Sequence, residues 1–134
     1  MSPLLIGLYL LHVGAGVYWM GSSFLVALAK GKGAEKQQGP QMIAALLAIG
    51  IGTFLWRQMH PGAFGRMEGV LALGGVLAFA AMGVQGALVS GSLRRLRNGG
   101  LAEPAARARI TRGSRISAIL LALAFLSMVG SYHV

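Results

Sequence analysis

The chain has 134 residues, of which 55% are hydrophobic and only 11% are charged, and its formal net charge is +9. A soluble domain has about 25% charged residues, so this composition excludes an ordinary soluble domain, and the high apolar content excludes a disordered chain. Cysteine is absent, which excludes disulfide scaffolds and thiolate metal sites. Because three glutamates are the only acidic residues, paired-carboxylate catalysis and carboxylate-rich metal cages are nearly excluded.

Four uncharged, apolar stretches follow one another along the chain, and each has the length that a membrane-spanning helix needs. None shows the polar face that a helix of a soluble bundle would carry. The sequence therefore predicts an all-α integral membrane protein, a four-helix bundle that forms a single transmembrane domain over residues 1–134. The predicted helices cover about 4–29, 40–56, 69–93 and 115–133.

The basic residues are unevenly distributed between the connections. Three lysines lie in loop 30–36 and seven arginines in loop 94–115, whereas the middle loop has only Arg57 and Arg66, offset by Glu68. Cytoplasmic loops carry the excess of Lys and Arg, so we expect both basic loops in the cytoplasm and both termini outside, in a bacterial inner membrane. The positive net charge is then explained by the membrane topology and by the attraction of loop 94–115 to anionic lipids. It does not indicate a nucleic-acid partner.

A weak internal repeat relates the two halves of the chain. Met20-Gly21 and Met82-Gly83 each lie in the middle of a predicted helix that runs into a basic loop and then a second apolar helix. This pattern indicates a 2+2 duplication with a functional site between the halves, and chance similarity between glycine-rich helices is the alternative. Small residues such as Gly83, Ala87 and Gly91 favour close packing within the chain, or a contact face in a homo-oligomer or with partner membrane subunits.

The first helix carries the main candidate site. An ionisable residue inside a span is costly and therefore a functional candidate, and His12 shares one helical stripe with Gly16, Trp19 and Ser23. One hypothesis is that His12 is an axial ligand of haem b, with Trp19 as an aromatic wall and Met128, at a similar depth, as the second ligand. The alternative is a structural His12 that hydrogen-bonds to a serine or a carbonyl of a neighbouring helix.

The predicted topology also brings all three histidines towards the outer side. His12, His60 and His133 with Met59 or Met67 would offer imidazole and thioether ligands, which suit copper. For His60 and His133, the alternative is that they are solvated residues at the membrane interface. The sequence thus leaves haem b and copper open as cofactors.

The segment 11–21 (LHVGAGVYWMG) resembles the first helix of small bacterial membrane proteins of the copper-resistance protein D (CopD) type and of the HemJ-type protoporphyrinogen oxidases. Their pattern of His, Trp and Gly is matched by His12, Trp19 and Gly21, followed by Phe24. The resemblance implies a helical bundle and, in the HemJ type, a haem bound through His12. Segment 22–25 (SSFL) replaces the tyrosine-proline-arginine stretch of the HemJ type, so enzyme activity stays open and no catalytic residue is assigned.

These observations lead to one leading function and two alternatives. We expect a membrane protein that binds a redox cofactor near the outer leaflet through His12, for electron transfer or for handling of metal or haem. A non-catalytic accessory subunit of a membrane complex is the first alternative. The second is a small transporter with a path near Gln85, a strongly polar residue deep in the third span.

Overall fold

A computed structural model of the chain describes residues 2–62 and 64–134. It consists of four long helices, and each is long and apolar enough to cross a membrane. The predicted all-α four-helix bundle is thereby confirmed, and its composition fits a multi-pass membrane protein. The helices are α1 (Pro3–Leu28), α2 (Ala34–Met59), α3 (Arg66–Arg97) and α4 (Glu103–His133).

The four helices pack as two hairpins. The closest contacts join α1 to α2 and α3 to α4, α1 also packs along α4, and among these neighbouring pairs the contact of α2 with α3 is the sparsest. The turns 29–33 and 98–102 lie at one end of the bundle, which we call the basic end. The opposite end, which we call the terminal end, carries Ser2, the C-terminal residue Val134, and residues 60–62 and 64–65 between α2 and α3. The core between the hairpins is built of small side chains around one large ring, that of Trp19.

The α1–α2 turn is held by an arginine from α4. Arg107 donates from Nη1 to the carbonyl oxygen of Gly31 at 2.9 Å and also pairs with Glu35. Gly31 has φ of +85°, and a Cβ there would lie 3.1 Å from the carbonyl oxygen of Arg107. Only glycine suits both the backbone conformation and this close approach. The contact fixes the tip of the first hairpin against the second.

Two predicted boundaries are corrected by the structure. Helix α2 begins at Ala34 and not near 40, because Glu35 lies favourably in its first turn and the helix accommodates Pro40. Helix α4 begins at Glu103, so most of the predicted loop 94–115 is helical and continuous with the fourth span. Arg107 accordingly contacts the first hairpin, whereas Arg109, two residues later, is exposed.

Helix α3 contains a π-helical segment, Gln85–Ser90. Such segments are rare and mostly occur as single turns inserted in α-helices. The segment packs against α4 at Gly113, where a Cβ would come within 2.6 Å of the Cβ of Leu88. Glycine at this position therefore allows the widened turn to approach α4.

Candidate functional site

A cavity of about 680 Å³ lies between the two hairpins in the terminal half of the bundle. Its size falls in the range of small-molecule sites, and its walls are mostly apolar. All four helices contribute to it. Most residues that the sequence analysis placed in a cofactor or metal site line this cavity, namely His12, Trp19, Met59, His60, Met128 and His133, whereas Met67 does not.

The imidazole of His12 is oriented by the neighbouring helix. Its Nδ1 lies 2.6 Å from the carbonyl oxygen of Ala48. Because a carbonyl oxygen only accepts, Nδ1 must carry the proton, and the neutral ring then keeps its lone pair on Nε2. The bond matches the interpretation of His12 as a residue that binds a carbonyl. It is also the arrangement by which metal-ligating histidines are usually oriented, so it leaves both interpretations open.

A glycine in α2 makes room for this ring. A Cβ on Gly52 would lie 2.7 Å from Cε1 of His12 and 3.1 Å from Nδ1. Gly52 follows Ala48 by one helical turn, so the ring rests on the glycine while it donates to the alanine carbonyl. The position of the imidazole thus depends on the absence of a side chain at residue 52.

The second hairpin also packs a large side chain against a glycine, but here the glycine is in its first helix, α3, and the large side chain is in its second helix, α4. Gly74 of α3 makes the room, since a Cβ there would lie 2.9 Å from Cγ of Met128 and 3.1 Å from the carbonyl oxygen of Ala124. Met128 follows Ala124 by one turn, as Gly52 follows Ala48. The alignment of Met20-Gly21 with Met82-Gly83 also places His12 on Gly74. His12 and Met128 therefore stand at equivalent levels of the two hairpins, and both face the cavity.

The floor of the cavity is formed by Trp19, which is 1% exposed and belongs to a buried hydrogen-bonded ring of side chains. Trp19 Nε1 donates to Gln85 Oε1 at 2.6 Å, and Gln85 Nε2 donates to Gln41 Oε1 at 2.5 Å. Gln41 Nε2 then donates to Ser22 Oγ at 3.0 Å, and that hydroxyl donates to the carbonyl oxygen of Trp19. The ring ties α1, α2 and α3 together below the cavity.

The ring gives Gln85 a defined role. Both ends of its amide are engaged with other helices, and its side chain is buried. This geometry favours an interhelical link over the lining of a transport path. Gln41 is the member that sequence reasoning missed, because the predicted start of the second helix placed it at the helix end. The signal available was a second glutamine within an otherwise apolar stretch.

At the terminal end, His60 joins α2 to α3. Its Nδ1 lies 3.0 Å from Oε1 of Glu68, and the other oxygen of Glu68 accepts from the backbone N–H of Gly65 at 2.9 Å. The imidazole also lies beside Trp56, with ring centroids 5.4 Å apart. His60 thus has a structural partner at the rim of the cavity, whereas His133 is exposed in the last turn of α4.

The geometry does not support the copper hypothesis. Within residues 2–62 and 64–134, no three His, Cys, Asp or Glu side chains are placed to share a metal ion. His12, His60 and His133 border one cavity, but they do not converge on a point. The described part of the chain thus gives copper no support, and the copper hypothesis stays an untested prediction.

Comparison with known proteins identifies no relative: no family model, no curated protein and no solved structure matches the chain. The resemblance to the CopD and HemJ types therefore stays a prediction.

Proposed function

We propose that this protein binds haem b in the cavity between its two hairpins, with His12 and Met128 as axial ligands, for electron transfer or haem handling. The proposal rests on how each hairpin pairs a large side chain with a glycine. In the first hairpin α1 supplies His12 and α2 supplies Gly52, whereas in the second α3 supplies Gly74 and α4 supplies Met128. An imidazole nitrogen and a thioether sulfur, both able to bind iron, thus come from opposite hairpins at corresponding positions beside the cavity. Haem iron with His and Met ligands is an established electron-transfer arrangement.

The state of His12 supports this role. The bond from Nδ1 to the carbonyl of Ala48 fixes the tautomer in which Nε2 holds the lone pair that iron would bind. Such a partner also fixes the orientation of the ring. A histidine that served only to link α1 and α2 would not need to line a cavity, and His12 does so.

The cavity walls suit a flat, apolar group. Gly16 and Gly75 both line the cavity, and open space lies where their Cβ atoms would be. These positions leave flat wall surface beside the two candidate ligands. A bare metal ion would need a small cage of converging donors and not an apolar space of about 680 Å³.

The terminal end can also receive the propionates of haem. Arg57 and Arg66 lie there, exposed, and neither joins the ion pairs found among residues 2–62 and 64–134. The nearby carboxylate, Glu68, is engaged with His60 and Gly65. By the distribution of Lys and Arg, this end faces the outer side of a bacterial inner membrane, so the haem would lie in the outer half of the bilayer.

The test is an absorption spectrum of the detergent-purified protein from a haem-replete host, with haem and copper measured per chain. We expect a Soret band and about one haem per chain. His12→Ala should abolish the band, and Met128→Leu should keep the haem but remove the spectroscopic signature of thioether ligation. His133→Ala, at an exposed histidine of the same rim, is the matched control and should change neither.

Two results would overturn the proposal. The first is a folded wild-type protein that stays colourless after haem is added, which would favour a structural His12 and an accessory subunit. The second is a Soret band that survives in His12→Ala. Copper at one equivalent per chain without haem would instead support the alternative cofactor.

A further inference from the structure

We infer that the cavity takes its ligand from the bilayer, through a lateral opening between α2 and α3, so that the ligand is a membrane-partitioning amphiphile and not an aqueous ion. The inference rests on the proposed function, because it concerns how the same cavity is filled. It adds the route of entry and, with it, the class of ligand that can enter.

Several wall residues of the cavity are exposed on the side of the bundle. Val76 is 64% exposed and Phe79 is 55% exposed, although both line the cavity. Thr53 of α2 shares these two properties. A side chain that borders an internal space and is also open to the surroundings marks a gap in the wall. Val17 of α1 and Phe125 of α4 also line the cavity and are exposed, so these two properties mark gaps on both sides of the bundle. We place the entry at Thr53, Val76 and Phe79 because α2 and α3 pack sparsely against each other.

The depth of these residues places the opening within the apolar part of a membrane. Val76 lies ten residues after the start of α3 at Arg66, which is about 15 Å along the helix axis at 1.5 Å per residue. The hydrocarbon core of a bilayer is about 30 Å thick. Because α3 begins at the terminal end, Val76 lies at the level of the acyl chains, where apolar and amphiphilic molecules are dissolved.

The packing of the helices explains why the gap lies on this side. In a bundle of two similar hairpins, the contact between α1 and α4 has its counterpart in the contact between α2 and α3. The first is close and the second is sparse. The polar side chains link α2 to α3 at two levels, Gln41 to Gln85 below the cavity and His60 to Glu68 at its rim. The exposed wall residues lie between these two links.

The water-facing end offers a less open route. The bond between His60 and Glu68 crosses from α2 to α3 there, and the ring of Trp56 lies against His60 and Phe64, with its centroid 6.3 Å from that of Phe64. A ligand arriving from water would have to pass this polar and aromatic rim. A ligand dissolved in the leaflet meets the apolar side chains of Val76 and Phe79 and the hydroxyl of Thr53, which already donates to the carbonyl oxygen of Ile49.

The experiment measures how fast the full-length apoprotein in lipid nanodiscs acquires a Soret band when it is mixed with vesicles that carry haem. Val76→Trp narrows the gap, and we expect it to slow loading about tenfold, which corresponds to about 1.4 kcal/mol on the entry barrier. Phe79→Ala widens the gap and should speed loading. The matched control is Leu73→Trp, since Leu73 is exposed on the same helix but does not line the cavity.

The outcomes separate the route from the function. Slower loading of Val76→Trp and faster loading of Phe79→Ala, with equal final haem content and no change in Leu73→Trp, support the lateral opening. Equal loading rates in all four proteins overturn it and leave haem binding intact. Faster loading from a soluble haem carrier than from vesicles also overturns it. If even the wild type acquires no Soret band, the proposed function itself fails.

Discussion

The substitution Gly52→Ala tests whether α2 positions the imidazole of His12. The added Cβ would lie 2.7 Å from Cε1 of His12 and 3.1 Å from Nδ1, both closer than van der Waals contact. The backbone of α2 cannot yield, because Ala48 and Leu55 of the same helix are buried. The ring must therefore rotate away, and its bond to the carbonyl of Ala48 is lost.

The cost has two parts. Loss of a partly buried hydrogen bond costs about 1 kcal/mol, and overpacking adds about 1–3 kcal/mol. We therefore expect Gly52→Ala to lower the free energy of unfolding by about 2–4 kcal/mol. If His12 binds haem, the loss of its oriented ring should also weaken haem binding by about 10- to 100-fold, the usual effect of removing the partner of a metal-ligating histidine.

The assay is equilibrium unfolding in mixed detergent micelles, followed by far-UV circular dichroism, together with a haem titration. Gly50→Ala is the matched control, because open space surrounds its Cβ position on the same helix. It should be neutral or stabilise the protein by up to about 1 kcal/mol. A second control combines Gly52→Ala with His12→Ala, where the clash is absent and the glycine substitution should cost little. Equal stability of Gly52→Ala and Gly50→Ala in the wild-type background would refute the reasoning.

Three further substitutions test the packing. Gln85→Leu breaks two bonds of the buried ring and should cost about 1–3 kcal/mol of unfolding free energy, whereas Gln37→Leu, at a more exposed bond, should stay within about 0.5 kcal/mol. Gly113→Ala places a Cβ 2.6 Å from a side chain of the π segment and should cost about 1–3 kcal/mol, in contrast to Gly130→Ala, which meets open space. Arg107→Met loses its bonds to the α1–α2 turn, and denaturant titration should show a loss of about 1 kcal/mol.

The sequence predicted the four helices because charge is the dominant signal in a membrane protein. A charged side chain inside a span is expensive, so the charged residues mark the connections. The first helix was predicted within one residue at either end, since Pro3 and the lysines after Ala29 limit it. The number and order of the helices thus follow from the one-dimensional pattern.

Helix ends near water are not set by the same cost. Glu35 and Arg107 are helical although they are charged, because at the basic end each is near water and they pair with one another. Charge therefore indicates where a span leaves the membrane and not where its helix ends. The same difference hid Gln41, which lies seven residues inside α2 and not at its end.

The candidate site was predicted residue by residue but not as an arrangement. The type of side chain singled out His12 and Met128, and helical rise gave them similar depths. Neither could show that Gly52 and Gly74 provide the space, since those glycines stand far along the chain from the residues that they accommodate. Contacts between distant segments depend on helix rotation, and the apolar pattern of a lipid-exposed bundle fixes rotation poorly.

The exchanged positions of large residue and glycine also bear on the internal repeat. If the repeat is real, the two hairpins should share one arrangement: a backbone carbonyl in the second helix, a residue one turn after it, and a residue of the first helix that faces it. His12 over Gly52 and Met128 over Gly74 satisfy this relation in both. If the two hairpins descend from one ancestor, they differ in which helix carries the large side chain. It is the first helix, α1, in one hairpin and the second helix, α4, in the other. That exchange makes the two cavity walls chemically different. A bundle with two identical walls would offer a ligand two equal ends. In the proposed haem site, an imidazole on one wall and a thioether on the other would make the two axial ligands different.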